Sequence, residues 1–175
     1  HHDIPAQQVF TDWCDAAAAP KLADAVLMCT QDAMHVEPAV AFARAGYHIL
    51  LEKPMATDEA GCRQIVAAVR QAGVQFAVAH VSRYTPYTRR LKAIIESGAI
   101  GDLVCMQRLE PVGYWHQAPS FVRGNWRNEA ESSFMLLAKS CHDLDWMRHV
   151  MDVPCQAVSS FGSLKHFRTE EAPEG

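Results

Sequence analysis

Two side chains suited to proton transfer and charge stabilisation stand out by their surroundings. Lys53 lies in HILLEKPM (48–55), where an apolar run gives way to a carboxylate, an ammonium and a proline in succession. A lysine at the carboxyl end of a buried strand can point into a ligand cleft. There its ammonium polarises a hydroxyl or carbonyl, or exchanges a proton where burial lowers its pKa. Pro54 fixes the backbone beside it and removes one N–H, a rigidity from which a solvated lysine gains nothing. The second side chain is His142, in SFMLLAKSCHDLDWMRHVMD (133–152). Ala138, His142, Asp145 and His149 follow one helical flank, and Lys139 is a helical neighbour of His142. Asp145 can reach back one turn to hold one imidazole nitrogen, leaving the other free for proton transfer. A plain solvated flank accounts equally well for this spacing. A third group is the stretch GYWHQAPSFVRGNWRN (113–128), with Tyr114, Arg123, Trp126 and Arg127. Aromatic and arginine side chains together suit stacking on planar rings and binding of phosphate or hydroxyl groups. The plainer reading, a loop anchored in the core, holds for at least one tryptophan.

These residues need elements to position them. AVLMCT (25–30) is a short continuous apolar run, the pattern of a strand buried on both faces. A helix is expected from about His35 to Ala45, with Pro38 in its first turn and Gly46 as its stop. A strand over 48–53 follows. A helix capped by Thr57 comes next, with Cys62, Ile65, Val66 and Val69 on one face and Gly73 at its end. A strand over 75–80 closes this half. Strand and helix alternating at this spacing give a parallel α/β unit with right-handed crossovers. Ligands of such sheets bind beyond the carboxyl ends of the strands, here Thr30, Glu52-Lys53 and His80. For Thr30 and His80 taken singly, the favoured reading is that a strand end becomes polar as the chain surfaces.

Beyond residues 81–84 the pattern changes, which divides the chain into 1–82 and 83–175. Thr85-Pro86 is a helix start, with Tyr87, Leu91, Ile94 and Ile95 on one face up to Gly98. Strands are expected over 101–111 and 155–167. Between them lie the long polar-aromatic loop and one helix over 133–152, its core-facing stripe at 134, 137, 141, 144, 147 and 151.

Composition excludes several classes. With 175 residues, 49% apolar and 21% charged, the chain has ordinary globular composition. Its net charge of −4 carries no basic stripe for nucleic acid. No apolar run approaches the length of a membrane span, and the N-terminal HHDIPAQQ has no signal-peptide core. Cysteines at 14, 29, 62, 105, 141 and 155 form no CxxC pair, so they read as reduced thiols of a cytoplasmic protein. Neither a disulfide framework nor a metal site is expected.

Taken together, AVLMCTQDAMHVEPAVAFARAGYHILLEKPMA, RYTPY, GAIGDLV, NWR and the helix bearing H-x-x-D strongly resemble one family. It is the glucose–fructose oxidoreductase, inositol dehydrogenase and MocA family, and the resemblance runs from about residue 22 to 165. It implies part of a Rossmann parallel sheet followed by an α/β domain with an open, mostly antiparallel sheet. It implies hydride transfer between NAD or NADP and a hydroxyl carbon of a sugar, polyol or related small molecule. By the same resemblance Lys53 and His142 are catalytic. Thr30, His35, Glu52, Pro54, Arg83, Trp126 and Arg127 lie along the cofactor, and Tyr114, Arg123, Lys139 and Asp145 face the substrate. The Lys53-Pro54 bond is expected to be cis. The second sheet, through 105–109 and 157–164, is expected to pair subunits into a homodimer or homotetramer.

Two departures from the family pattern bear on this reading. Ala138 stands where many members carry an aspartate, with Lys139 beside it. No G-x-G-x-x-G occurs, although the family places one in its first strand–turn–helix, where helix N–H groups bind pyrophosphate. The chain is therefore expected to be part of a longer one. It would begin after that unit, with IPAQQVFTDW (4–13) as the following linker, and stop before the second sheet is complete. The competing readings are a non-catalytic ligand-sensing or scaffold member, which Ala138 favours, and a cofactor-assisted glycoside-cleaving member.

Overall fold

Three short parallel strands organise the first half of the chain. In this computed structural model, which describes residues 3–172, they are β1 (Ala25–Met28), β2 (His48–Leu51) and β3 (Phe76–Val78). They lie in the order β1–β2–β3, with Val26 beside Ile49 and Ile49 beside Phe76. Helix α1 (Trp13–Ala18) precedes β1, α2 (Val36–Arg44) joins β1 to β2, and α3 (Glu59–Ala72) joins β2 to β3. Strands β2 and β3 are shorter than the expected 48–53 and 75–80, because the chain leaves the sheet before the polar residues at their ends.

The helix boundaries follow local chemistry. Pro38 sits in the first turn of α2, and Gly46 takes φ 81° after its end. Asp58, not Thr57, caps α3: its Oδ1 accepts from the Gly61 N–H at 2.7 Å. Asp58 is one residue nearer the helix, and its charge also meets the positive helix end. Gly73 closes α3 at φ 66°.

The two crossover helices cover one face of the sheet, as consecutive right-handed crossovers in one direction require. Met28, Val40, Phe42, Ile49, Leu51, Ile65 and Val69 make the core there. Burying a side chain such as Leu51 or Ile65, each 0% exposed, contributes about 1.5–3 kcal/mol. On the opposite face Leu27 is 69% and Leu50 42% exposed. The expectation that β1 is buried on both faces is therefore corrected: among the described residues only one face carries helices.

The second half departs further from expectation. Helix α4 (Pro86–Glu96) starts as read, Thr85 Oγ1 accepting from the Thr88 N–H. The strands expected over 101–111 and 155–167 do not form, and the antiparallel sheet they belonged to is not found among the described residues. Val104 and Phe161 are 93% and 97% exposed in these segments. The sequence of these segments fits a strand locally, but a strand needs a neighbour for its N–H and C=O groups. The stretch read as a loop contains α5 (Tyr114–Gln117) and a π turn over Ala118–Val122.

The single helix expected over 133–152 is two, α6 (Met135–Ala138) and α7 (Cys141–Met151). The buried face of α7 is Asp143, Trp146 and Val150, whereas Phe134 and Leu144 of the expected stripe are exposed. Trp146 decides this orientation. Its Nε1 donates to Thr88 Oγ1 at 2.8 Å, Tyr87 stacks on its ring at 6.5 Å, and the Arg108 guanidinium lies 5.2 Å from the ring centre. Among the described residues no helix is long and apolar enough to cross a membrane, and all six cysteines are free thiols.

Candidate active site

The carboxyl ends of the three strands meet the start of α7. At the end of β2 the chain turns through a cis Lys53-Pro54 bond, as expected. His35, 0% exposed, braces this turn: Nδ1 lies 2.8 Å from the Pro54 carbonyl oxygen and Nε2 3.0 Å from that of Thr30. One imidazole thus ties the end of β1 to the turn after β2. Glu52 folds back, its Oε2 accepting from the Lys53 N–H at 3.2 Å. Thr30, His35, Glu52 and Pro54 therefore form one contiguous group at the strand ends. The Lys53 side chain leaves this group and donates to the carbonyl of Ala138 at 2.9 Å, across 85 positions of sequence. That carbonyl ends α6, four residues before His142.

His142 faces a second histidine. The His80 ring, just beyond β3, packs edge-to-face on it at 5.8 Å between centroids. The Nδ1 atoms of both rings are shielded from solvent and have no hydrogen-bond partner. Asp145 does not orient His142 as expected. It accepts two hydrogen bonds from Arg83, at 2.7 and 2.5 Å, and its Oδ1 lies 3.9 Å from His80 Nε2. The fork geometry of a guanidinium outcompetes a single imidazole N–H for a carboxylate. Arg83 is held at this carboxylate, and its place along a cofactor remains an expectation.

The loop residues divide. Trp126 Nε1 donates to Asp32 Oδ2 at 2.9 Å, and Ser133 Oγ hydrogen-bonds the same oxygen. Asp32, 6% exposed just after β1, thus fastens both ends of 126–133 to the sheet's carboxyl edge. Tyr114, Arg123 and Arg127 are exposed and make no side-chain hydrogen bond to the Lys53–His142 group among the described residues. Lys139 pairs with Glu110 at 3.6 Å, and Glu110 also takes Arg108 at 3.1 Å. Arg108 in turn donates to Asp143 at 2.9 Å.

Sequence reasoning missed Asp32 and Ser133, and gave His80 the bland reading. For Asp32 the one signal was a carboxylate two residues past a strand end. Ser133 carried none, because its partner lies 101 positions away. His80 had the right position, but only packing shows that it meets His142.

Burial, then Lys53, His80 and Lys139, pushes the His142 proton affinity below the ordinary histidine value, with Asp143 opposing. Burial also lowers that of His80, where Asp145 opposes and Arg83 and Lys53 add to the lowering. Burial works to raise Asp145, yet the Arg83 hydrogen bonds and nearby positive charge hold it below the usual carboxylate range. The Cys141 thiol is pushed up by burial. The cleft therefore offers a neutral imidazole beside an ammonium. That pair can take a proton from a hydroxyl while steadying the negative charge on its oxygen. The unpartnered nitrogens of His80 and His142 are positions that a bound hydroxyl or amide would satisfy. They fit the polar end of a nicotinamide or a polyol; the described residues hold no glycine-rich phosphate cradle.

Two family descriptions match nearly the whole chain: residues 2–80 match the oxidoreductase family with an NAD-binding Rossmann fold, and residues 88–174 the GFO/IDH/MocA C-terminal domain. The chain is 28% identical to the 2,7-anhydro-N-acetylneuraminate hydratase of Escherichia coli, over 87% of this chain and 40% of that protein. It is 32% identical to an inositol 2-dehydrogenase of Pseudomonas syringae pv. syringae, over 83% of this chain and 40% of that protein. Its fold matches a scyllo-inositol dehydrogenase of Lactobacillus casei, solved with NAD(H) and scyllo-inositol. There the TM-score is 0.68 and the identity 24%, over 82% of this chain and 41% of that one. The chain spans about 40% of the length of these relatives.

Proposed function

The chain belongs to the glucose–fructose oxidoreductase, inositol dehydrogenase and MocA family, and from that premise we propose that the whole protein is an NAD(P)-dependent oxidoreductase of a sugar, polyol or related small molecule. The observation that carries this reading is the Lys53 hydrogen bond to the Ala138 carbonyl. It brings the strand-end lysine to the end of α6, four residues before His142 at the start of α7. In oxidation, His142 accepts the hydroxyl proton and the Lys53 ammonium stabilises the oxygen as its negative charge grows. A nicotinamide bound at the strand ends would take up the hydride. Thr30, His35, Glu52 and Pro54 shape that edge, with Asp32 holding Trp126 against it. Lys139, drawn to Glu110, tunes the charge beside His142, and Tyr114 and Arg123 are left for the substrate's outer groups.

Residues 1–82 serve in this reading as the C-terminal part of the cofactor domain, and 83–175 as the first part of a substrate and assembly domain. The two family descriptions, meeting between 80 and 88, support that division. Exposed Val104, Leu109, Val158, Phe161 and Leu164 support assembly into a homodimer or homotetramer through this part, and the free thiols support a reducing compartment such as the cytoplasm.

The test uses the complete protein with NAD and NADP and a panel of inositols and sugars. Formation of reduced cofactor is expected. Lys53→Met and His142→Ala should each lower kcat by roughly 10²–10⁴-fold with cofactor affinity retained. Wild-type turnover rates in both variants would remove these residues from the chemistry. A second reading draws on the relative named a hydratase: the net reaction adds or removes water and returns the cofactor unchanged. Product mass separates the two, a gain or loss of water against a loss of hydrogen.

A further inference from the structure

We propose that His80 is a positioning residue for the chemistry at His142: the two imidazoles form a coupled pair that holds one proton between them, with Asp145 and Arg83 fixing the His80 end. The inference rests on the oxidoreductase reading for its role in turnover, but the pair itself rests on geometry.

The rings pack edge-to-face with centroids 5.8 Å apart, and neither Nδ1 has a hydrogen-bond partner. Two imidazolium ions at that separation, with both Nδ1 atoms shielded from water, repel, so one proton is the most the pair readily carries near neutrality. The surroundings are asymmetric. His142 faces Lys53 from the end of β2, Lys139 from the α6–α7 junction and His80, with Asp143 the opposing carboxylate. Asp143 is already engaged by Arg108. His80 faces Lys53, Arg83 and His142, but also Asp145, whose Oδ1 lies 3.9 Å from Nε2. A carboxylate thus stands 3.9 Å from the pair on the His80 side, locked there by Arg83. The Asp145 carboxylate favours a proton on His80, while Lys53 and Lys139 disfavour one on His142. The transfer runs through a hydroxyl that bridges the two unpartnered Nδ1 atoms: the N–H bond on His142 breaks, one on His80 forms, the hydroxyl gains one proton and gives up another, and no redox state changes. His80 remains partly open to solvent, its side chain 21% exposed, which gives the proton an exit. His142 is thereby returned to its neutral, proton-accepting form.

The experiment follows the histidine ring resonances of the complete protein by NMR as pH is varied, then repeats it in His80→Asn and His80→Gln. The wild-type His142 resonance should move in two steps, one coinciding with the His80 titration. In either variant it should move in one step at higher pH, because a neighbouring positive charge is gone. A single wild-type step, unchanged in the variants, overturns the proposal; the wild-type titration decides this even where a variant does not fold. In turnover on an oxidised polyol or sugar, His80→Asn should lower kcat roughly tenfold at neutral pH with KM unchanged, and added imidazole should restore part of it. An unchanged kcat in the folded variant overturns the proposal as well. Two-step titration without oxidation of any compound in the panel leaves the pair standing and overturns the oxidoreductase reading instead.

Discussion

His142 accepts a proton only in its neutral form, and the charges around it favour that form. Burial contributes most, then Lys53. Because a nearby cation disfavours the imidazolium, Lys53→Met should raise the midpoint at which His142 titrates, although the same change lowers turnover. An NMR titration of the variant checks the direction, and a midpoint that falls or stays would show the two side chains to be independent. Asp32 acts at the same scale by a different means. Its one oxygen serves Trp126 and Ser133, so Asp32→Ala leaves two donors without their acceptor. A loss of about 1–3 kcal/mol is expected, with faster proteolysis within 118–133, since an unsatisfied buried donor costs its full desolvation. Urea unfolding and a timed digest measure both.

Between elements, α2 packs tightly on α3. A Cβ added at Gly61 would meet Val36 Cγ2 at 2.8 Å and Ala56 Cβ at 3.0 Å. Alanine is the better helix former by about 1 kcal/mol, which alone would stabilise α3. Val36 is β-branched and stiff at the start of α2 and cannot swing aside, so overpacking of about 1–3 kcal/mol should win. Gly61→Ala is expected to lower the unfolding midpoint, and a stabilised variant would show that α2 can shift. The second half hinges on Thr88, 1% exposed, which accepts from Trp146 Nε1 and donates to the Ser82 carbonyl at 2.7 Å. Thr88→Val keeps the volume but strands the indole N–H. It should cost about 1–3 kcal/mol in chemical denaturation and loosen α7, and with it His142.

For the molecule as a whole, pH-dependent stability follows from the same histidines. His80 and His142 are held below the ordinary value of 6.5, so the folded chain binds protons less readily than the unfolded one. Their full contribution is present above 6.5, and stability should fall as pH drops through 6.5 toward their folded values. Asp145 is shifted the other way relative to its charge: its contribution holds above the usual carboxylate value of 3.8 and is lost only as pH falls below it. Between these limits the histidines set the slope. Urea midpoints should therefore fall from about pH 7.5 to about pH 5, and the fall should be shallower in His80→Asn. Equal slopes would place the pH dependence elsewhere. Assembly is the other property at this scale, and light scattering of the complete protein at micromolar concentration should show a dimer or larger.

The sequence by itself determined whatever depends on neighbours along the chain. The β1–α2–β2–α3–β3 order is read from apolar runs of strand length alternating with helical periods and closed by Gly46 and Gly73. The start of α4 is read from Thr85-Pro86, and Lys53 and His142 as the residues to watch are read from their places in strand and helix. Only the tertiary structure decided what depends on distant partners. Asp145 turned to Arg83 instead of His142, because a guanidinium from another element offered two donors. Helix α7 buried Trp146 instead of the expected stripe, because Thr88 supplied the acceptor an indole needs. His80 became part of the site, since a 62-residue gap in sequence closes to van der Waals packing. The segments 101–111 and 155–167 form no strand among the described residues, because a strand is a property of two segments side by side, and the composition of one cannot provide the other.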